Sequence, residues 1–159
     1  MKTKKREQVK LSLLTVICNA TQIYRGTIPK DKKKVYTEIL RELIKNLINK
    51  IDGNSLTNEE VRKAIKELSE KSDVSIGASQ KAINVYLKFY CILANKSDEI
   101  IKELDCPIDS FVIKENKLSK VSLKNMNIKN YEEMQNTLKE KYGTRLLADI
   151  EAWDDKKVY

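Results

Sequence analysis

Apolar residues recur at helical spacing through most of the chain, and this pattern defines the predicted elements. Between residues 31 and 51 the apolar positions lie three or four residues apart, which places them on one face of a helix. These positions are Val35, Ile39, Leu40, Leu43, Leu47 and Ile48. No segment keeps the period-two alternation of a half-buried strand. The pattern therefore predicts an all-α fold, a compact helical bundle of irregular topology.

Capping residues and glycines set the expected helix ends. Asp31 opens one helix, Thr57 and Glu60 form a capping box for the next, and Asn130 with Glu133 opens another. The predicted helices are 9–24, 31–51, 57–71, 78–95, 97–104, 130–142 and 144–153. A basic tail (1–8) and a lysine- and asparagine-rich surface loop (114–129) complete a single domain, 1–159.

The most apolar segment, 82–94 (AINVYLKFYCILA), has only Asn84 and Lys88 as polar side chains, and Lys81 stands just before it. A helix that is apolar around nearly its whole circumference belongs in the centre of a small protein. Lys81, Asn84 and Lys88 are spaced i, i+3 and i+7, so they line one face. Because a buried lysine is costly, this face is expected to border a cleft.

The amino-acid composition and net charge limit the classes of molecule that the chain is expected to bind. The chain has 159 residues, 41% of them apolar and 6% aromatic, with four glycines and two prolines, which suits one helical domain. Its net charge is +8 and its isoelectric point is about 9.3, as expected for a protein that binds nucleic acid or an anionic membrane surface. A lysine-rich, AT-biased proteome is the alternative explanation.

The absence of histidine and the spacing of the cysteines exclude several kinds of catalytic and metal site. The chain has no histidine, which rules out histidine triads, histidine-ligated zinc and histidine bases. The three cysteines (Cys18, Cys91 and Cys106) lack paired spacing and indicate reduced thiols in a cytoplasmic protein. The 82–94 segment is too short to cross a bilayer, and the N-terminus has no convincing export signal. We expect a monomer without metal, cofactor or membrane contact.

A glycine-bearing turn, 72–77, separates two predicted helices, so residues 57–95 form a candidate helix-hairpin-helix. Such a hairpin presents the N–H groups that begin its second helix to a DNA phosphate. Ser75, Gly77 and Ala78 are the expected DNA-backbone contacts, and Gly77 would allow close approach. An ordinary helical connection is the alternative.

A Pro-x-Asp motif follows within residues 105–113, where Cys106-Pro107-Ile108-Asp109 leads into Ser110-Phe111-Val112. Together with I-G-x-x-Q-K-A at 76–82, it resembles the helix-hairpin-helix DNA glycosylase superfamily, most closely the archaeal 8-oxoguanine branch. It is also similar to phage-defence glycosylases that act on modified bases. The resemblance covers residues 75–113. The usual L-P-G-V-G hairpin is reduced to Gly77, and Pro-Val-Asp becomes Pro107-Ile108-Asp109.

The resemblance implies a DNA N-glycosylase that needs no cofactor and acts on a base flipped out of double-stranded DNA. Lys81 would be the attacking amine and Asp109 the catalytic carboxylate, and the resulting imine would add AP-lyase activity. The expected contacts to the extruded nucleotide are Gln80, Asn84, Lys88 and Trp153. The candidate bases are 8-oxoguanine and a bulky phage base such as glucosylated hydroxymethylcytosine.

Each candidate also has a structural interpretation. Lys81 at a helix start can extend its ammonium to solvent, and Asp109 after a proline can serve as an N-cap. A non-enzymatic basic module of phage or mobile-element origin, which binds DNA or a partner protein, predicts no cleft at Lys81 and an Asp109 that faces solvent as a plain cap. A helical toxin or nuclease is a third class, which the absence of histidine disfavours.

Overall fold

A computed structural model describes residues 28–152, with side chains described through residue 149. This part of the chain is helical and contains no strand, which confirms the all-α prediction. The helices are α1 (Lys33–Asp52), α2 (Asn58–Ser72), α3 (Ile76–Leu93), α4 (Asp98–Ile101), α5 (Ser110–Glu115), α6 (Ile128–Tyr142) and α7 (Arg145–Ala152). The predicted tail 1–8, the predicted helix 9–24 and Trp153 lie outside the described residues.

Local capping decides where two of the helices begin. The Thr57 box at α2 is confirmed, because the Thr57 hydroxyl accepts from the Glu60 N–H and the Glu60 carboxylate accepts from the Thr57 N–H. The predicted cap of α6 is wrong by three residues. Asn127 is the cap, and Asn130 reciprocates as its third residue, at 2.9 and 3.3 Å. The earlier start satisfies both asparagines and adds nearly a turn.

Helix α3 occupies the centre of the bundle, as its apolar sequence predicted. It contacts α1, α2 and α6, and Ala82, Ile83 and Tyr86 are fully buried. The amphipathic α1 packs its inner face, which includes Tyr36 and Leu40, into the same core. Because much of α3 is buried, the polar side chains on its buried faces need partners inside the protein.

Helices α2 and α3 pack side by side and are joined by three residues, of which Asp73 has a left-handed backbone (φ 51°). A helical hairpin therefore forms within 57–95, while its use as a DNA-gripping element stays a prediction. None of the helices among the described residues combines the length and apolar character that crossing a membrane requires.

Candidate active site

The four residues before Asp109 are buried and are held by side chains of surrounding helices. Gln80 of α3 donates to the Ile108 carbonyl at 2.7 Å and accepts from the Ile108 N–H at 3.1 Å. Gln135 of α6 does the same for Cys106, at 2.7 and 3.0 Å. Both glutamines are completely buried. Two side-chain amides thus satisfy main-chain groups that no secondary structure pairs, and they fix the 105–108 segment.

The carboxylate of Asp105 anchors the start of this segment. Its side chain is 0% exposed and forms ion pairs with Arg62 (3.2 Å) and Arg145 (2.8 Å). It also accepts hydrogen bonds from the Asn58 amide at 2.8 Å and the Tyr131 hydroxyl at 2.5 Å. Burial and the charge of Asp105 raise the pKa of Tyr131 well above its usual value, so the phenol remains a donor. Helices α2, α6 and α7 therefore converge on one carboxylate.

Asp109 emerges from the clamped segment at a half-buried position and caps α5. One carboxylate oxygen accepts from the Val112 N–H at 2.8 Å. The N-cap interpretation is confirmed, and it is compatible with a chemical role because a capped carboxylate is also a positioned one.

The two lysines of α3 have different surroundings. The Lys88 ammonium lies 2.6 Å from Asp149 of α7, with side-chain exposures of 16% and 5%. Lys81 is partly exposed, and its side chain forms no ion pair with any residue that the structure describes. Lys81 follows Gln80 and Asp109 follows Ile108, so each member of the candidate pair is next in sequence to a residue of the bonded pair Gln80 and Ile108.

A second carboxylate, Asp149, shares the surroundings of Asp109. Burial raises the pKa of Asp149, Lys88 opposes this rise, and the negative charge of Asp109 adds to it. Burial likewise raises the pKa of the Cys106 thiol, with Asp149 and Asp109 as the next contributions. Cys106 is therefore a protonated thiol at neutral pH and a poor nucleophile.

The raised pKa of Asp149 predicts how stability changes with pH. A carboxyl whose folded pKa exceeds its unfolded value binds protons more tightly in the folded state, so stability falls as pH rises from the ordinary aspartate value near 3.8 through the raised value. Urea unfolding of the wild type and Asp149→Asn across this range should show the wild type losing stability relative to the variant. A relative gain by the wild type with rising pH would mean that Lys88 outweighs burial.

Two of the three predicted DNA-backbone contacts are covered by the chain itself, and the third, Ser75, is half-buried. Ser75 caps α3 through the Ala78 N–H at 3.2 Å, and Gly77 and Ala78 are buried. A Cβ on Gly77 would lie 2.0 Å from the carbonyl oxygen of Leu123. The close approach that this glycine permits is therefore to the 116–127 connection between α5 and α6, where a phosphate had been expected.

Replacing Gly77 with alanine should destabilise the protein by about 1–3 kcal/mol, the usual cost of overpacking, because the Leu123 backbone must move. Gly53→Ala is the matched control. Its Cβ would meet the Asn49 carbonyl oxygen at 3.3 Å, and the Gly53 φ of −86° suits alanine. Chemical unfolding measures both variants. Equal effects at the two positions would contradict the close packing of Leu123 on α3.

Gln80 and Asn84, expected to contact the extruded nucleotide, are internal instead. Gln80 holds Ile108, and the Asn84 amide donates to Gln80 (3.3 Å) and to the Tyr131 hydroxyl (2.9 Å). Asn84 is 1% exposed, and its carbonyl oxygen has no partner among the described residues. Neither side chain exposes a surface that a base could contact, because both are buried and hydrogen-bonded inside the protein.

Sequence reasoning missed three residues of this site: Asp105, Gln135 and Asp149. Each is a polar residue beside an apolar one, in Leu104-Asp105-Cys106, Met134-Gln135 and Ala148-Asp149. The only available signal was a polar residue on a helix face or segment that is otherwise buried. A polar residue next to an apolar one usually lies at the protein surface. The sequence alone therefore does not show that these residues are buried, because that depends on their partners in the tertiary structure.

Among the residues that the structure describes, no three acidic or cysteine side chains come together as a metal site. No protein-family model, curated protein or solved structure shows detectable similarity to this chain. The functional assignment therefore depends on the geometry around Asp109.

Proposed function

We propose that this chain is a DNA N-glycosylase in which Asp109 is the catalytic carboxylate and Lys81 the attacking amine. The observation that supports it is the clamped 105–108 segment, which ends in a half-buried carboxylate. Removing arginine and glutamine side chains from water to hold the loop 105–108 costs desolvation free energy that an apolar loop would not incur. Their benefit is a carboxylate held in one geometry, which electrostatic catalysis requires.

The proposed reaction requires the uncharged amine form of Lys81, because an ammonium cannot attack. Its amine attacks C1′ of the flipped nucleotide, the bond from C1′ to the base breaks, and the bonding electrons leave with the base. Asp109 stabilises the positive charge that develops on the sugar, accepts the proton released by the Lys81 nitrogen and transfers it to the departing base. Opening of the sugar ring gives an imine, from which loss of a C2′ proton expels the 3′ phosphate.

Lys81 is the better nucleophile of the two lysines. The ammonium of Lys88 is already paired with Asp149 and lies 4.7 Å from the centre of the Phe89 ring. The Asp149 contact holds the Lys88 side chain in place, whereas Lys81 forms no ion pair with the described residues. Lys88 instead compensates Asp149, which lowers the repulsion that Asp109 would otherwise meet.

The test uses the wild type with two substrates: duplex DNA containing 8-oxoguanine, and DNA containing glucosylated hydroxymethylcytosine. Borohydride reduction should trap a covalent protein–DNA adduct with one of them. Base release without an adduct would assign Asp109 to the activation of water and remove Lys81 from the mechanism. If neither DNA loses a base, the glycosylase proposal fails for these bases.

One observation favours a second function, a non-enzymatic basic module that binds DNA. Asp109 caps α5, as that alternative predicts. This function predicts DNA binding by the wild type without base release and without any effect of the Asp109 charge.

A further inference from the structure

We infer that a groove beside Asp109 receives the backbone of the DNA strand that carries the flipped nucleotide. This inference rests on the proposed function for its choice of DNA and adds the path of the strand. The groove lies between α5 and the segment 117–123 and has a volume of about 550 Å³. Ser110, the residue after Asp109, is one of its lining residues, so the groove reaches the end of α5 that Asp109 caps.

The charge of the groove matches a phosphodiester backbone. Lys114, Lys117 and Lys120 line it, all three are exposed, and no aspartate or glutamate lies among its lining residues. None of the three forms an ion pair within the described residues. Unpaired lysines on one groove produce a positive potential that attracts a polyanion.

The apolar side chains of the groove favour a single strand over a duplex. Ile113, Leu118 and Val121 line it between the lysines. Unpaired bases expose apolar faces that can pack on such side chains, whereas the bases of a duplex are stacked on each other. Flipping a nucleotide unstacks its strand locally, so an apolar groove with a lysine rim suits the segment next to the flipped base.

Lys117 occupies a backbone conformation that favours glycine. Its φ is 52°, just past the end of α5, where the Leu118 N–H bonds to the Ile113 carbonyl at 3.0 Å. A left-handed conformation costs a non-glycine residue about 1–2 kcal/mol. The charge of Lys117 accounts for a lysine at this position if that charge contributes to binding. A glycine at position 117 would then remove the backbone cost and the charge together, so stability and binding should change in opposite directions.

The experiment measures binding of a fluorescent single-stranded oligonucleotide by anisotropy over a series of salt concentrations. The variant carries Lys114→Gln, Lys117→Gln and Lys120→Gln. The control carries Lys34→Gln, Lys45→Gln and Lys139→Gln, three exposed lysines elsewhere with the same loss of charge. The slope of log K against log salt should fall by about 2 in the groove variant, which is roughly 0.7 for each of three phosphates. The control should keep the wild-type slope.

A single substitution, Lys117→Gly, distinguishes binding from folding. It should leave the protein as stable as the wild type or more stable, because glycine adopts positive φ freely, and it should still lower the salt slope. Weaker binding accompanied by lower stability would assign Lys117 a structural role and count against the groove.

Binding measurements overturn the inference if the groove and control variants have equal slopes, or if the lysine-dependent binding prefers an acidic peptide or anionic vesicles to DNA. The proposed function fails separately. Lysine-dependent DNA binding without base release would retain the groove and reject the glycosylase. Base release that is unaffected by the three substitutions would retain the enzyme and reject the groove.

Discussion

Replacing Asp109 with asparagine is expected to lower the rate of base release about a thousandfold while the protein stays folded. Asparagine is as good an N-cap as aspartate, so the hydrogen bond from the Val112 N–H is preserved. In the proposed reaction the lost charge is the one that stabilises the sugar cation, and removing such a group typically costs about 100- to 1,000-fold in rate. Single-turnover base release and urea unfolding measure the two effects.

Two further variants complete this test. Lys81→Ala should abolish the borohydride adduct, and Lys45→Ala, an exposed lysine of α1, should retain it. Asp109→Ala should lose the cap as well as the charge and should cost about 1 kcal/mol of stability. If Asp109→Asn matches the wild type in base release, Asp109 is only a cap and the catalytic pair is rejected.

Replacing Asp105 with asparagine should destabilise the fold by about 3–5 kcal/mol, the usual cost of removing one partner of a buried ion pair. Arg145 is 7% exposed and Arg62 has a side chain that is 18% exposed, so both cations would keep little solvent and lose their counter-charge. A domain of this size is stable by only about 5–15 kcal/mol, so the effect will be large. Urea unfolding followed by circular dichroism measures it.

Tyr131→Phe keeps the prediction testable if the Asp105 variant does not fold. It removes one donor to Asp105 and the acceptor of the Asn84 amide but keeps the ring, and it should cost about 1.5–3 kcal/mol. Tyr142→Phe is the matched control, because that hydroxyl bonds to Asn116 at a partly buried position. If Asp105→Asn stays within about 1 kcal/mol of the wild type, the network is not what holds the segment.

Features that depend on residues close together in the sequence were predicted correctly more often than features that depend on residues far apart in the sequence. The Thr57 box and the buried character of α3 were predicted because caps and periodicity involve residues within one or two turns. The start of α6 was misplaced because Asn127 and Asn130 both suit a cap. The choice between them depends on the reciprocal bond, which residue type alone does not reveal.

The site required contacts that no local pattern contains. Gln80 and Ile108 are 28 residues apart, and Gln135 and Cys106 are 29 apart. Asn84 was expected at a cleft because it shares a face with two lysines, and Gln80 was expected to contact the nucleotide, yet the central position of α3 turns both into the core. Lys81 and Asp109 remain the candidate pair, and the structure adds the clamp that positions Asp109.

The sequence by itself determined an all-α chain, a central apolar helix and an N-cap at Asp109, because all three follow from local spacing. Only the tertiary structure decided which polar residues became internal partners and which remained exposed. Gly77 faces Leu123, Lys88 pairs with Asp149, and Lys114, Lys117 and Lys120 line one groove. The physical reason is that a buried polar group must find a partner, and that partner is fixed by packing between distant segments.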